Sequence, residues 1–266
     1  MHFFAYLCTR TISITTIMAT IDALIDTFSP ITLEEMSSVK LMNRTDTKFV
    51  TNQQKLAELL QMAEQDYYVQ EIDGQLNLEY DTTYLDTDDF NMYAVHQWGH
   101  VNRQKIRFRT YCINGLQFME IKTKNNHGRT KKKRIEVVDM DLHDEAKRTF
   151  IGQHLRYGVD SLLPALNNHF SRITLVNRAK TERLTIDTGL RFHNMQSQEQ
   201  RDMGDLVIIE LKRNGLVYSP VLSMLKELRI MPHGFSKYCM GSALTNPQLP
   251  VNSFKEKLRY VEKMTQ

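Results

Sequence analysis

Over most of the chain apolar and polar residues alternate with period two, and the helical period comes in only between the alternating runs. "RTDTKFVT" sets Arg44, Asp46 and Lys48 against Thr45, Thr47 and Phe49. "QKIRFRTY" places Lys105, Arg107 and Arg109 on one face and Ile106 and Phe108 on the other. The same alternation groups Glu120, Lys122 and Lys124, then Lys132, Arg134 and Glu136, then Arg183, Thr185 and Asp187, and finally Glu210 and Lys212. "LEYDTTYLDT" adds a further strand, and a turn near Lys180 splits residues 172–192 into two. Helices are predicted over 19–37, interrupted at Pro30; over "NQQKLAELLQMAEQ", capped by Asn52; over 144–157 and around 161–170; and in "PVLSMLKELRI" and "SFKEKLRYVEK". "VHQWGH" reads as a loop.

Each polar face is rich in cations. Two unit charges about 6.7 Å apart on one strand face repel by roughly 2.5 kcal/mol at an effective dielectric near 20. A two-layer sandwich would send these faces to solvent, but "VIIELK" places Glu210 inside an otherwise apolar strand, where an unpaired carboxylate is costly. A polar interior resolves both facts. The expected architecture is α+β: a closed antiparallel β-barrel, or tunnel, of about eight strands with a basic lumen and helices packed outside.

With 266 residues, 41% of them hydrophobic, the chain can bury one substantial core, and residues 19–266 are expected to form a single domain preceded by an extension over 1–18. The extension is apolar, but Arg10 interrupts it and no clean cleavage site follows, which argues against an export signal or a membrane span. A net charge of +3 argues against a general nucleic-acid footprint, so any polyanion site comes from local clustering. Cys8, Cys112 and Cys239 form neither a CxxC pair nor an even framework, which points to a reducing, cytoplasmic setting.

A lumen lined this way suits phosphate chains. Arginine forks grip phosphate oxygens in pairs, lysines act as point charges, and a carboxylate among them can hold Mn²⁺ or Mg²⁺. No GxSxG, Walker A, HExxH or kinase signature is present. Phosphoryl transfer needs positioning and charge stabilisation more than a protein nucleophile. Lower weight falls on the run Lys131 to Arg134 as an RNA patch, on His96 and His100 as a metal pair, and on Tyr84 and Asp86 as reacting groups rather than strand supports.

The ordered segments "RTDTKF", "YLDT", "RQKIRFRTY", "MEIKTK", "KKKR", "NRAKTERLTIDTGL", "VIIELK" and "FSKYCMG" resemble the VTC domain, the polyphosphate polymerase branch of the triphosphate tunnel metalloenzymes, from about residue 41 to 241. The resemblance implies an antiparallel tunnel that uses ATP and a divalent metal, Mn²⁺ or Mg²⁺, to extend inorganic polyphosphate. It further implies that Lys48, Arg107, Arg109, Lys122, Arg134, Arg178, Arg183, Lys212 and Lys237 contact phosphate and that Glu210 holds the metal. Lys48, Arg107, Arg109, Glu210 and Lys237 would form the catalytic group. Related tunnel enzymes open with two alternating acids before the lysine, whereas this chain has Arg44, Asp46 and Lys48, which argues against a simple triphosphatase. A triphosphatase and a non-catalytic polyphosphate or nucleotide sensor stay open as alternatives. So do a membrane partner and the oligomeric state.

Overall fold

A computed structural model describes residues 20–36, 44–126, 129–215 and 217–265. The extension assigned to residues 1–18 lies outside the described residues.

Among the described residues eleven strands form one sheet. Its main path runs β2 (Arg44–Asn52), β11 (Leu206–Asn214), β9 (Glu182–Asn194), β8 (Leu163–Asn177), β4 (Asn77–Asp86), β5 (Arg103–Tyr111), β6 (Gln117–Lys124) and β7 (Thr130–Val137), and every pair along it is antiparallel. β3 (Tyr67–Glu71) pairs with β8 and with the parallel β1 (Ser29–Thr32), and β10 (Gln200–Asp202) pairs with β9.

The expected closed barrel is corrected here. Among the described residues β7 and β2, the two ends of the path, do not pair. The two walls nonetheless approach each other: Lys122 on β6, the neighbour of β7, senses the charges of Glu210 on β11 and Lys48 on β2. The sheet is therefore an open channel, its basic faces turned inward with Lys122 and Lys132 on one wall and Lys48 and Lys212 on the other. Like charge on both walls opposes the last step of closure.

Helices cover the convex side as the helical periods require. α1, described over residues 20–25, buries Ile21 and Ile25 one turn apart, and a single turn, α2 (Leu33–Met36), follows β1. α3 (Gln53–Ala63) is capped by the Asn52 side chain, which accepts from the Lys55 amide at 3.0 Å, and it buries Leu56, Leu59, Leu60 and Ala63 against β8, β9 and β11. Each of these leucines contributes about 1.5–3 kcal/mol of transfer free energy. α6 (Pro220–Glu227) joins the same cluster through Val221, Met224 and Leu225. α5 (Glu145–His154) covers the outer faces of β5 and β6 through Phe150 and Ile151.

Other expectations also change. Of residues 161–170, read as helical, all from Leu163 onward belong to β8, because β4 and β9 pair with that segment on both sides and outweigh its Leu and Ala content. The helix over 19–37 is cut short by β1, and β3 was not anticipated at all. "VHQWGH" is not all loop: α4 (Asn91–Gln97) carries His96, and its N-terminal amides at Met92 and Tyr93 donate to the Asp86 carboxylate at 2.8 and 3.0 Å.

One helix enters the concave side. α7 (Lys237–Thr245), with Tyr238, Cys239 and Met240 buried, packs on Leu166, Phe170 and Phe192, and α8 (Lys255–Met264) backs it through Val261. The approach is close: a Cβ on Gly241 would stand 2.5 Å from the Phe192 ring and 2.6 Å from Leu166. Although alanine is the better helix former by about 1 kcal/mol, Gly241→Ala is expected to destabilise the fold by roughly 1–3 kcal/mol through overpacking, read as a lower urea midpoint at unchanged m-value.

Candidate functional site

Strand register alone assembles the concave face. Lys48 pairs with Glu210, Glu210 with Thr185 and Lys212 with Arg183; across the hairpin Arg172 pairs with Asp187. On the opposite wall Lys105 pairs with Lys122, Arg107 with Glu120, and Lys122 with Lys132.

Three carboxylates are each shared between two cations. Glu210 accepts from Lys48 through Oε1 and from Lys212 through Oε2, the latter at 2.7 Å. Glu120, 1% exposed, accepts Arg107 Nε at 2.8 Å and Nη2 at 2.5 Å on one oxygen and Lys132 Nζ at 2.8 Å on the other. Asp187, 3% exposed, accepts the Arg172 fork at 2.6 and 2.8 Å and also Lys237, which reaches in from the start of α7. Burial by itself would raise all three carboxyls; the paired cations overcome it, so Glu120 sits at about 2 and Glu210 and Asp187 well below the ordinary carboxylate range.

The remaining cations rest on rings and hydroxyls. Arg109 donates to Thr82 Oγ1 at 3.2 Å and lies 5.5 Å from the Tyr80 ring and 5.7 Å from that of Phe170. Arg172 stands 5.3 Å and Lys237 4.1 Å from the same Phe170 ring, so one aromatic ring has three cations around it. Lys105 donates to Ser236 Oγ at 2.7 Å, Arg107 to the Tyr84 hydroxyl at 3.2 Å, and Arg134 covers Phe118 at 4.6 Å. Lys122 is exposed, yet partial desolvation lowers its ammonium to about 8; Glu210 opposes the shift, and Lys48, Arg107 and Lys105 deepen it. Burial likewise brings Lys237 down to about 8. The face holds an excess of positive charge that its own acids do not cancel, which is the electrostatic requirement for a bound polyanion.

Of the residues named from sequence, Lys48, Arg107, Arg109, Lys122, Arg134, Arg183, Glu210, Lys212 and Lys237 lie on this face or reach into it. Arg178 does not. It follows β8 on the far side, donating to Gln65 O and Ser29 Oγ, each at 3.2 Å, and stacking 4.1 Å from Tyr68, where it ties the β8–β9 turn to β1. Arg172, Glu120, Asp187, Lys105 and Lys132 were not chosen as site residues. Residues 172–192 were read as two strands around the turn at Lys180, and counting back from that turn would have set Arg172 opposite Asp187, but no site role was drawn from the pair. His96 Nδ1 meets Cys239 Sγ at 2.9 Å, and no group of three or more His, Cys, Asp or Glu able to hold a metal occurs among the described residues.

Glu210 fits a divalent cation only together with phosphate. It offers one carboxylate between two ammonium groups, so phosphate oxygens would have to complete the coordination and offset the repulsion.

The chain belongs to the VTC domain family, whose model matches residues 43–246. Among solved structures it is similar to a candidate adenylyl cyclase from Hippeastrum with a dominant triphosphatase activity, at 15% identity and TM-score 0.48 over 79% of this chain and 99% of that one. It is also similar to a candidate adenylate cyclase from Bacillus halodurans, at 14% identity and TM-score 0.45 over 73% and 96%. No curated protein matches the chain. No helix among the described residues is long and apolar enough to cross a membrane.

The shared carboxylates set an acid limit on stability. Glu120 is depressed from an ordinary 4.5 to about 2, so its contribution is complete above pH 4.5 and is lost as pH falls through 2. Stability measured by urea unfolding is expected to drop over that window, by about 3 kcal/mol from this group, and Glu120→Gln is expected to flatten that part of the profile while lowering stability at pH 7.

Proposed function

We propose that the protein is a metal-dependent polyphosphate polymerase that transfers the γ-phosphate of ATP to inorganic polyphosphate, with Mn²⁺ or Mg²⁺ as cofactor, in the cytoplasm. The observation that carries the reading is the concave face itself. It combines carboxylate-anchored cations on two facing walls with membership of the VTC domain family.

In this reading Lys48 and Lys212 line one side of the phosphate chain, Arg107, Arg109, Lys122, Lys132 and Arg134 the other, and Arg172, Arg183 and Lys237 complete the cradle. A terminal oxygen of the acceptor polyphosphate attacks the γ-phosphorus, a new P–O bond forms, and the bond to the β-phosphate oxygen breaks with its electron pair leaving on ADP. The attacking oxygen is already ionised, so no protein base is required. The cations hold donor and acceptor in line and spread the developing charge, as electrostatic pre-organisation requires. A divalent cation at Glu210 supplies further neutralisation of the phosphate oxygens when bound.

A second reading is a polyphosphate or nucleotide sensor. It draws on the occupation of both Glu210 oxygens by ammonium groups, which competes with a metal.

Incubation of pure protein with ATP and Mn²⁺ is expected to yield ADP and a polymer ladder on gels. Glu210→Ala is expected to abolish the ladder without loss of fold, as checked by circular dichroism. ADP with free phosphate and no polymer would favour a triphosphatase, and binding without turnover a sensor. The double variant Arg107→Glu, Arg109→Glu is expected to lose tripolyphosphate binding in calorimetry under any of the three; retained binding would overturn the assignment of the face.

A further inference from the structure

Tyr84 lies on the concave face of β4, opposite Arg107 in the register, and is only 6% exposed. Its ring packs against Tyr238 of α7 at 5.2 Å, and Tyr238 in turn is bonded to Asp86, two residues further along β4. The Tyr84 hydroxyl oxygen accepts from Arg107 Nη1 at 3.2 Å. No protein group among the described residues accepts the proton it carries. A buried donor without an acceptor costs roughly 1–3 kcal/mol unless something else takes the bond.

Every group that could decide what takes it is in view. Arg107, Arg109 and Lys105 on β5 surround the phenol, and Lys237 on α7 senses it. Glu120 on β6 is already held by Arg107 and Lys132, Asp86 by Tyr238 and the α4 amides, and β8 presents Leu166. The unmet donor therefore sits among cations, with the neighbouring acids already engaged. We propose that the Tyr84 hydroxyl is a substrate-contacting group that donates to a non-bridging phosphate oxygen held by Arg107 and Arg109. This rests on the phosphate reading of the face and deepens it: a hydroxyl donor recognises phosphate only while it is protonated.

The linkage has a definite sign. Burial would raise the phenol, but Arg107 first, then Arg109 and Lys105, bring it down to about 8. Above that pH a phenolate occupies Arg107 and repels the incoming anion. A bound phosphate, conversely, stabilises the protonated phenol and raises its pKa. Lys122 and Lys237, also near 8, lose charge over the same range, so an alkaline loss of binding is not by itself diagnostic. Tyrosinate absorbance near 295 nm is specific to the phenol.

The experiment is a spectrophotometric titration of the wild-type protein and Tyr84→Phe, with and without tripolyphosphate and without metal, together with calorimetric affinities at pH 7. Wild type is expected to show a tyrosinate component titrating about two units below ordinary tyrosine, shifted upward by tripolyphosphate. Tyr84→Phe, which keeps the ring on Tyr238, is expected to lack that component, to melt near the wild-type temperature and to bind tripolyphosphate about tenfold more weakly. Equal affinity in the variant, or an early component that tripolyphosphate leaves unmoved, would overturn the role of Tyr84 while leaving the phosphate face intact. Failure of wild type to bind tripolyphosphate at all would overturn the phosphate reading and this inference with it.

Discussion

The sharing of one carboxylate between two cations makes the rest of this structure tenable. A sheet whose concave face carries rows of lysine and arginine would repel itself open, and removing its acids would leave half-buried charge uncompensated. Glu210, Glu120 and Asp187 each sit between two cations drawn from different strands or from α7. They bind the sheet across its register without cancelling its charge. What is left over, Lys122 above all, is available to an anion. The aromatic floor of Tyr80 and Phe170, stacked at 5.4 Å, adds support that does not consume charge, because a ring face attracts cations while accepting few hydrogen bonds.

Stability and site are built from the same strands, divided by face. The even residues of β8 and, up to the register shift beside Gly189, the odd residues of β9 look inward, where Arg172 meets Asp187, while Ile173, Leu175, Leu184 and Ile186 look outward onto α3 and α6. A slip of one residue in register would exchange the two sets and bury the cations under the helices. The apolar core thus does the positioning: it locks the register, and the register aims the charges. α7 and its cap add an inward contribution from outside the sheet, placing Lys237 against Asp187 and Ser236 against Lys105.

Legibility in the sequence varied with how local the cause was. Alternation in β2, β5, β6, β7, β9 and β11 could be read directly, because a strand with one polar face declares itself residue by residue. α3 was equally clear, since its cap and its apolar stripe are both local. β8 was misread at its start, where pairing with β4, more than seventy residues away, and with β9 decides the conformation, and β1 and β3 are too short to carry a period. Arg178 shows the reverse error. Its place in a charged motif suggested the lumen, but the tight turn at Lys180 carries it to the opposite side of the sheet.

By itself the sequence determined the parity of nearly every charged residue, the antiparallel run of neighbouring strands from β4 through β7, and the presence of more cations on one face than its acids neutralise, since each depends on spacing along a short stretch of chain. Tertiary structure alone decided that the channel stays unsealed between β7 and β2, that α7 enters the hollow, which carboxylate serves which pair of cations, and that Tyr84 is left with a proton to give. These last are matters of distance between groups far apart in the chain, and only long-range packing sets such distances.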